Sequence, residues 1–386
     1  MIIELHLLQS FPVSNLNRDD VGQPKTATFG GCTRGRISSQ SLKRAARLLF
    51  NDYGLDTSET GVRTKRLVEN TAEALARPDR DHALTRGVVT AALEQLGFAV
   101  DPVKGLTQYL LFVGRDAVDR LAQYSQDNWD VLAAGHTAKA AKKDKEKDDA
   151  ADKPAKPVKS KPDKATAAEA KRILDGGRAA DVALFGRMIA DNKDFNVDAA
   201  SQVAHALSTH AVLNEFDFYT AVDDLKPDGE SGADMIGTVD FNSACYYRYA
   251  NVDTDQLVRN LGGDTDLATR AMRAWLNSFI HAVPSGKQNS MAARTVPDTL
   301  LGVVRDAGAW NLANAFLKPV TDVDLMVGST ERLTKHFTGL RDFYGSDQIR
   351  AIAAASVSGD LPHLDPADTV TTIGAFIDNL LAAAKA

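Results

Sequence analysis

Cysteine is scarce in this chain: Cys32 and Cys245 are the only two among 386 residues. They lie far apart and form no Cys-x-x-Cys pair, which excludes a cysteine-built zinc site and a disulfide framework. Two free thiols in a reducing cytoplasm are expected. Long apolar runs are missing too, so no segment is expected to cross a bilayer. The apolar N-terminal stretch IIELHLL is short, carries Glu4 and His6 and lacks a basic flank, so it reads as a strand and not a signal peptide. Positive charge is not in excess: the net charge of −6 does not announce a nucleic-acid binder. Catalytic signatures are absent as well. The chain has no Ser/His/Asp order and no His-Glu-x-x-His, and SGKQ (285–288) lacks the rest of a nucleotide-binding P-loop. His6, His205 and His210 are scattered, and His205 and His210 are five apart, the wrong spacing for one face of a helix or strand.

What is present is local. Residues 1–50 hold seven Lys or Arg against three acids, and residues 137–164 hold ten Lys against six acids. With that second segment set aside, the remainder carries −10, so a polyanion would bind only through a focused groove. The focus falls on residues 15–50. This stretch opens as a long polar loop with Gly22, Gly30, Gly31 and Gly35 and closes with Ser38 and Ser39. Leu42, Ala45, Ala46 and Leu49 then recur at helical spacing, with Lys43 and Arg47 on another face. A serine cap leaves backbone N–H groups and a positive dipole end at the helix start. With Arg34, Arg36 and Lys43 nearby and glycine backbone able to approach closely, the stretch suits a phosphate. The plain alternative is a capped surface helix with solvated cations.

Further along, residues 62–77 and 85–97 read as helices, 106–114 as a buried strand or helix start, and 116–134 as helical. Residues 137–165 are Lys, Asp, Ala and Pro with almost nothing to bury, and are expected to be mobile. ADVALFGRMI (180–189) reads as a strand. Residues 201–212 and 216–225 read as paired strands, with Phe216, Phe218 and Thr220 on one face and Asp217 and Tyr219 on the other. Phe216 is expected to pack into the core. A long aromatic strand at 238–253 follows, then helices near 253–260 and 265–281, a strand broken around Pro297 and a last helix at 370–384. Without the insertions this is the split βαβ, ferredoxin-like order shared with RNA-recognition modules, an α+β class.

Several blocks resemble the CasC family, the backbone subunit of type I-E CRISPR Cascade complexes in the RAMP superfamily. They are NLNRDD, FGG and RISSQSLKRA in residues 15–45, then FGRM (185–188), HALSTH (205–210), DFYTAVDDL (217–225), CYYRYAN (245–251), LGG (261–263), SGKQ (285–288) and NAF (314–316). They keep family order across nearly the whole chain.

The resemblance implies an RRM-like palm with a helical fingers insertion and a β-hairpin thumb. The palm would occupy 1–55 and 175–386, the fingers 56–174 with the Lys-rich linker 137–165 inside, and the thumb about 198–237. It implies a non-catalytic subunit that oligomerises along one CRISPR RNA. That subunit would hold the phosphate backbone and display the bases to target DNA. Implied RNA contacts are Asn17, Arg18, Lys25, Ser38, Gln40, Lys43, Arg44, Arg47, Met188, Lys287 and Gln288, with Phe218, Tyr219 and Thr220 as a wedge between bases. Implied partners are further copies of the chain, the CasA, CasB, CasD and CasE subunits and a recruited helicase-nuclease, in the cytoplasm, with no cofactor, metal or membrane. Two alternatives stay open. One is a metal-dependent endoribonuclease using Asp19 or Asp20, although beside Arg18 these acids read better as a salt bridge positioning the loop; Asp223 and Asp224 are read in the same way. The other is a metabolic enzyme whose glycine-rich loop takes a small phosphate.

Overall fold

The N-terminal apolar segment becomes a long strand, β1 (Ile2–Ser14), in which Ile3 to Gln9 are buried without a break. The computed structural model describes residues 1–78, 80–101, 104–147, 164–174, 179–189, 195–221 and 235–385. After β1 come β2 (Thr26–Phe29), β3 (Cys32–Ile37), α1 (Ser39–Leu48), β4 (Gly61–Thr64), α2 (Leu67–Ala74), α3 (His82–Gln95) and β5 (Leu111–Gly114). Next are α4 (Ala117–Asp127), α5 (Trp129–Lys147), α6 (Lys164–Leu174), α7 (Ala180–Phe185), β6 (Ser201–Val203), β7 (Ala206–Ser208), β8 (Glu215–Ala221) and β9 (Met235–Asp253). The chain closes with α8 (Thr254–Asn260), α9 (Thr265–His281), α10 (Gln288–Met291), β10 (Thr299–Arg305), α11 (Leu325–Tyr344), β11 (Ile349–Ser356) and α12 (Ile373–Ala383). By contact it divides into two units, residues 1–55, 200–258 and 265–386, and residues 56–199 and 259–264.

The first unit is an antiparallel sheet in the order β11-β10-β1-β9-β7-β3-β2, with β6 and β8 also pairing with β9. β1 lies between β9 and β10, Leu5 facing Ala250 on one side and Gly302 on the other. Both faces of β1 are covered, which is why its apolar run does not alternate. On one face Leu8, Tyr247, Leu301 and Val303 pack with Leu333 and Phe337 of α11. On the other, a Cβ at Gly302 would come within 2.6 Å of Leu380, so glycine is what lets α12 lie close to the sheet. A further cluster of Phe11, Ile37, Leu42 and Tyr246 fastens α1 beside β1 and β9. Burying these apolar side chains is worth roughly 1.5–3 kcal/mol each.

Charged groups inside this unit are held by an ion pair, a ring contact and hydrogen bonds to Glu4. Glu4 and Arg305 are both nearly inaccessible, with Nε and Oε2 3.9 Å apart. The Glu4 carboxylate accepts from the Tyr249 hydroxyl at 3.2 Å and from the Trp310 backbone N–H, and Arg305 lies over the Trp310 ring. His6 Nδ1 meets the Tyr247 hydroxyl at 2.9 Å, so this histidine is a core group.

The second unit gathers Leu67, Val88, Leu93, Leu121 and Ile173 around one core from α2, α3, α4 and α6. β4 and β5 form a two-stranded sheet of their own.

Several elements differ from the sequence reading. Residues 180–185 are α7 and not a strand: every side chain in that run is buried, so the pattern carries no period to separate helix from strand. Asp181 accepts the Gly61 N–H at 2.6 Å, and Gly186 ends the helix at φ +73°. The segment 62–77 opens as β4 before α2 begins. The polar loop at 15–37 contains the β2–β3 hairpin, turned by the left-handed Gly30 and Gly31. β8 pairs with β9 and not with 201–212, where β6 and β7 instead join the sheet. α11 and β11 go unread in the sequence. α5 continues to Lys147, into the stretch expected to be mobile, while 148–163 lie outside the described residues. No helix among the described residues is long and apolar enough to cross a membrane.

Candidate nucleic-acid interface

Ser38 caps α1. Its hydroxyl accepts the Ser41 N–H at 3.4 Å, while its own N–H donates to Asn17 Oδ1 at 2.8 Å. Asn17 also ties the preceding loop through its backbone carbonyl, which accepts the Lys25 N–H at 2.9 Å. Asn15 bonds the carbonyls of Gly22 and Asp240 at 2.9 and 2.8 Å. Asp19 Oδ1 accepts the N–H groups of Val21 and Gln23 at 3.0 and 2.9 Å. The NLNRDD stretch is thus a hydrogen-bonded frame for the start of α1. Asp19 does this through backbone N–H groups, in place of the ion pair with Arg18 expected from the sequence.

Gly286 fits against this frame. A Cβ there would meet the Leu16 carbonyl oxygen at 2.4 Å and that of Asn15 at 2.7 Å. The SGKQ loop and the NLNRDD loop, distant in sequence, therefore touch because residue 286 has no side chain. Between them and α1 opens a groove of about 670 Å³. Arg18, Arg44 and Arg294 line it with Ser41, and Leu48 and Val296 give it apolar wall. All three arginines are exposed. The groove runs along the flank of α1 from Ser41 to Leu49, and its three arginines, outnumbering Asp19, beside closely approaching backbone, form a place for a phosphate chain.

The other sequence candidates distribute as follows. Gln40 is exposed, and Lys25, Lys43 and Arg47 are half-buried on or next to this frame. Lys287 is exposed and holds a left-handed backbone at φ +52°, a conformation that costs a non-glycine residue on the order of 1 kcal/mol and fixes its direction. Gln288 turns inward and bonds the carbonyls of Pro284 and Ala293 at 3.0 and 3.3 Å, so it shapes the loop. Met188, in the second unit, is 86% exposed.

Arg34 does not join the cations. Its side chain is fully buried, donating to the carbonyls of Phe29, Ser208 and Phe316 at 3.2, 3.1 and 2.8 Å. It is a structural tie between β3, β7 and the segment before α11. Arg294, by contrast, was invisible as a candidate, because a lone arginine 250 residues from Arg44 gives no local signal.

The second feature is the β8–β9 hairpin. Every residue of β8 is exposed, on both faces. Phe216, Phe218 and Thr220 lie opposite Asp240, Thr238 and Ile236, and Tyr219 lies opposite Gly237 on the other face. Phe216 is 74% exposed, which corrects its assignment to the core: no described residue covers it. Tyr219 lies across Gly237, where a Cβ would come within 2.5 Å of its ring. Asp223 and Asp224 lie outside the described residues.

A model of the CT1975-like protein family matches residues 3–379, nearly the whole chain. The chain belongs to the CT1975-like protein family. This CT1975-like chain also resembles solved structures. One is a chain described as "CRISPR RNA-guided surveillance complex, pre-nicking", with a TM-score of 0.81, 32% identity and 100% of both chains covered. Another, described as "CRISPR RNA-guided surveillance complex", has a TM-score of 0.72 and 27% identity, covering 99% of this chain and 100% of that one. No curated protein matches.

Proposed function

We propose that this CT1975-like protein is the RNA-binding backbone subunit of a CRISPR surveillance complex of the type I-E Cascade kind. The observation that carries the proposal is the arginine-lined groove along α1, in a chain matched end to end by chains of RNA-guided surveillance complexes. We read the first unit as an RRM-like palm. The strands β10-β1-β9-β7, with α1 after β1 and α9 after β9, follow the split βαβ order. The second unit corresponds to the fingers and the β8–β9 hairpin to the thumb.

In this reading the frame around Asn17 and Ser38 sets α1, and Arg18, Arg44, Arg294 and Lys43 hold successive phosphates without reading sequence. Gln40, Arg47 and Lys287 extend the track, Lys25 contacts the RNA from the other face of the sheet, and Met188 is a contact of the second unit in its own right. Phe218, Tyr219 and Thr220 wedge between bases of the guide. Copies repeat along one RNA through head-to-tail contacts, which generate an open filament, and the free bases pair with target DNA. The subunit itself is non-catalytic, with CasA, CasB, CasD and CasE as its partner subunits and cleavage left to a recruited helicase-nuclease. The tethering of Asp19 by two backbone N–H groups favours this over an endoribonuclease built on Asp19 or Asp20.

The test is co-expression with the neighbouring genes and a CRISPR array, followed by purification and RNA extraction. A large particle with several copies of this chain on one uniform short RNA is expected. An RNA-free monomer or dimer would overturn the reading. RNA cleavage in Mg²⁺ that is lost in Asp19→Ala would overturn its non-catalytic part.

A further inference from the structure

The arginine groove is not the only cationic ground in the first unit. Arg36 of β3 has two basic neighbours from separate parts of the chain. On one side the β2–β3 register, in which Thr26 faces Gly35, continues to Lys25, whose carbonyl accepts the Arg36 N–H at 2.8 Å. On the other side Arg36 faces Leu207 of β7, and His205 stands two residues before Leu207. Arg36 Nη1 and His205 Nδ1 are 3.3 Å apart. Residue alternation puts all three on the face opposite α1, because Ile37, next to Arg36, is buried against Leu42 of α1. This cluster is therefore distinct from the groove around Arg44.

Like charges directly opposite one another across strands are unfavourable. Among the described residues no acid forms an ion pair with Lys25, Arg36 or His205. Arg36 Nε donates to the Thr26 carbonyl at 3.2 Å, which holds the guanidinium in place without neutralising it. His205 Nδ1 can only accept from Arg36 when the imidazole is neutral, which leaves the proton on Nε2. Burial, then Arg36 and Lys25, hold its pKa below the usual histidine range. Lys25 and Arg36 are the charged groups whose field reaches it, one from the segment before β2 and one from β3.

We propose that Lys25, Arg36 and His205 form a second phosphate subsite on the opposite face of the sheet, and that His205 becomes cationic when an RNA phosphate occupies it. The anion supplies the missing counter-charge, the Arg36–His205 contact gives way to two contacts on phosphate oxygens, and the imidazole takes up a proton. RNA held there binds more tightly as pH falls, since a proton is taken up with the ligand. The proposal rests on the reading of the chain as an RNA binder and adds a subsite to it.

The experiment measures binding of a short labelled oligouridylate to the full chain at pH about 6 and about 8, in wild type, His205→Gln, Arg36→Gln and Arg44→Gln. Wild type is expected to bind roughly three- to tenfold more tightly at the lower pH. His205→Gln should lose that difference, while Arg44→Gln weakens binding at both pH values and keeps it. NMR titration of ¹³C-labelled histidine supplies the second readout: the His205 pKa should rise on adding the oligonucleotide and should already be higher in free Arg36→Gln. An unchanged pH difference in His205→Gln, or a His205 pKa unmoved by RNA, overturns the subsite while the RNA-binding reading survives. Failure of wild type to bind at either pH overturns both.

Discussion

Asn17 Oδ1 accepts the backbone N–H of Ser38 at 2.8 Å, tying the polar loop after β1 to the first turn of α1. The contact orders the frame that carries Arg18 and sets the direction of the helix that carries Lys43, Arg44 and Arg47. Asn17→Ala is expected to cost about 1 kcal/mol, the worth of one such bond. It should also weaken RNA binding by more than removal of a single contact explains, because the helix start loosens. Thermal unfolding and RNA titration on the same variant check both halves. A full loss of stability with RNA affinity unchanged would count against the framing role.

Arg44→Gln and Arg294→Gln address the groove. If each arginine neutralises one phosphate of a single strand, each substitution should lower the slope of log K against log salt by about 0.7. The loss should be the same for different RNA sequences, because phosphate contacts carry no base information. A slope that stays at the wild-type value would remove that arginine from the interface.

The hairpin makes the opposite prediction. Phe218 and Tyr219 are exposed, so Phe218→Ala and Tyr219→Ala should change folding stability by no more than about 0.5 kcal/mol. Loss of a stacked base should nonetheless cost roughly 1–3 kcal/mol of RNA binding or assembly for each residue. Size-exclusion chromatography of the co-expressed particle, set beside a melting curve, separates the two effects.

The core of the first unit carries a pH signature. Burial pushes the Glu4 carboxyl up to about 7, against hydrogen bonds from Trp310 and Tyr249 and the charge of Arg305. The folded state therefore binds more protons than the unfolded state between about 4.5 and about 7, and this contribution to stability falls as pH rises through that range. His6 acts the other way. Burial holds it down to about 3, so the unfolded state binds the extra proton and stability rises with pH between about 3 and 6.5. The two slopes oppose each other in wild type. Glu4→Gln should uncover the histidine slope, with stability rising clearly from pH about 4.5 to about 6.5. Denaturant melts across that range check it, and a pH dependence identical to wild type would show that Glu4 is not held protonated.

The α1 region was legible because its signals are local. A serine cap, an amphipathic repeat and glycines all act within a few residues of one another, and Ser38 does cap α1. The core was legible in β1 and β9, where long apolar and aromatic runs leave no choice but burial. Where a run is buried all round, as in 180–185, periodicity vanishes and the helix reads as a strand. The hairpin shows the converse. The alternation of Phe216 and Phe218 reads as one buried face, yet no described residue covers it.

The sequence by itself determined the buried N-terminal strand β1 and the serine-capped, amphipathic α1, because both follow from local backbone preferences and from which residues must leave water. Tertiary structure alone decided which side chains share the candidate groove. It buried Arg34 among carbonyls, brought Arg294 to Arg44, and set Gly286 against Leu16. It also placed Lys25, Arg36 and His205 side by side. Charges separated by tens or hundreds of residues become one electrostatic surface only when strand register and close packing fix their distances, and no local pattern in the chain encodes those distances.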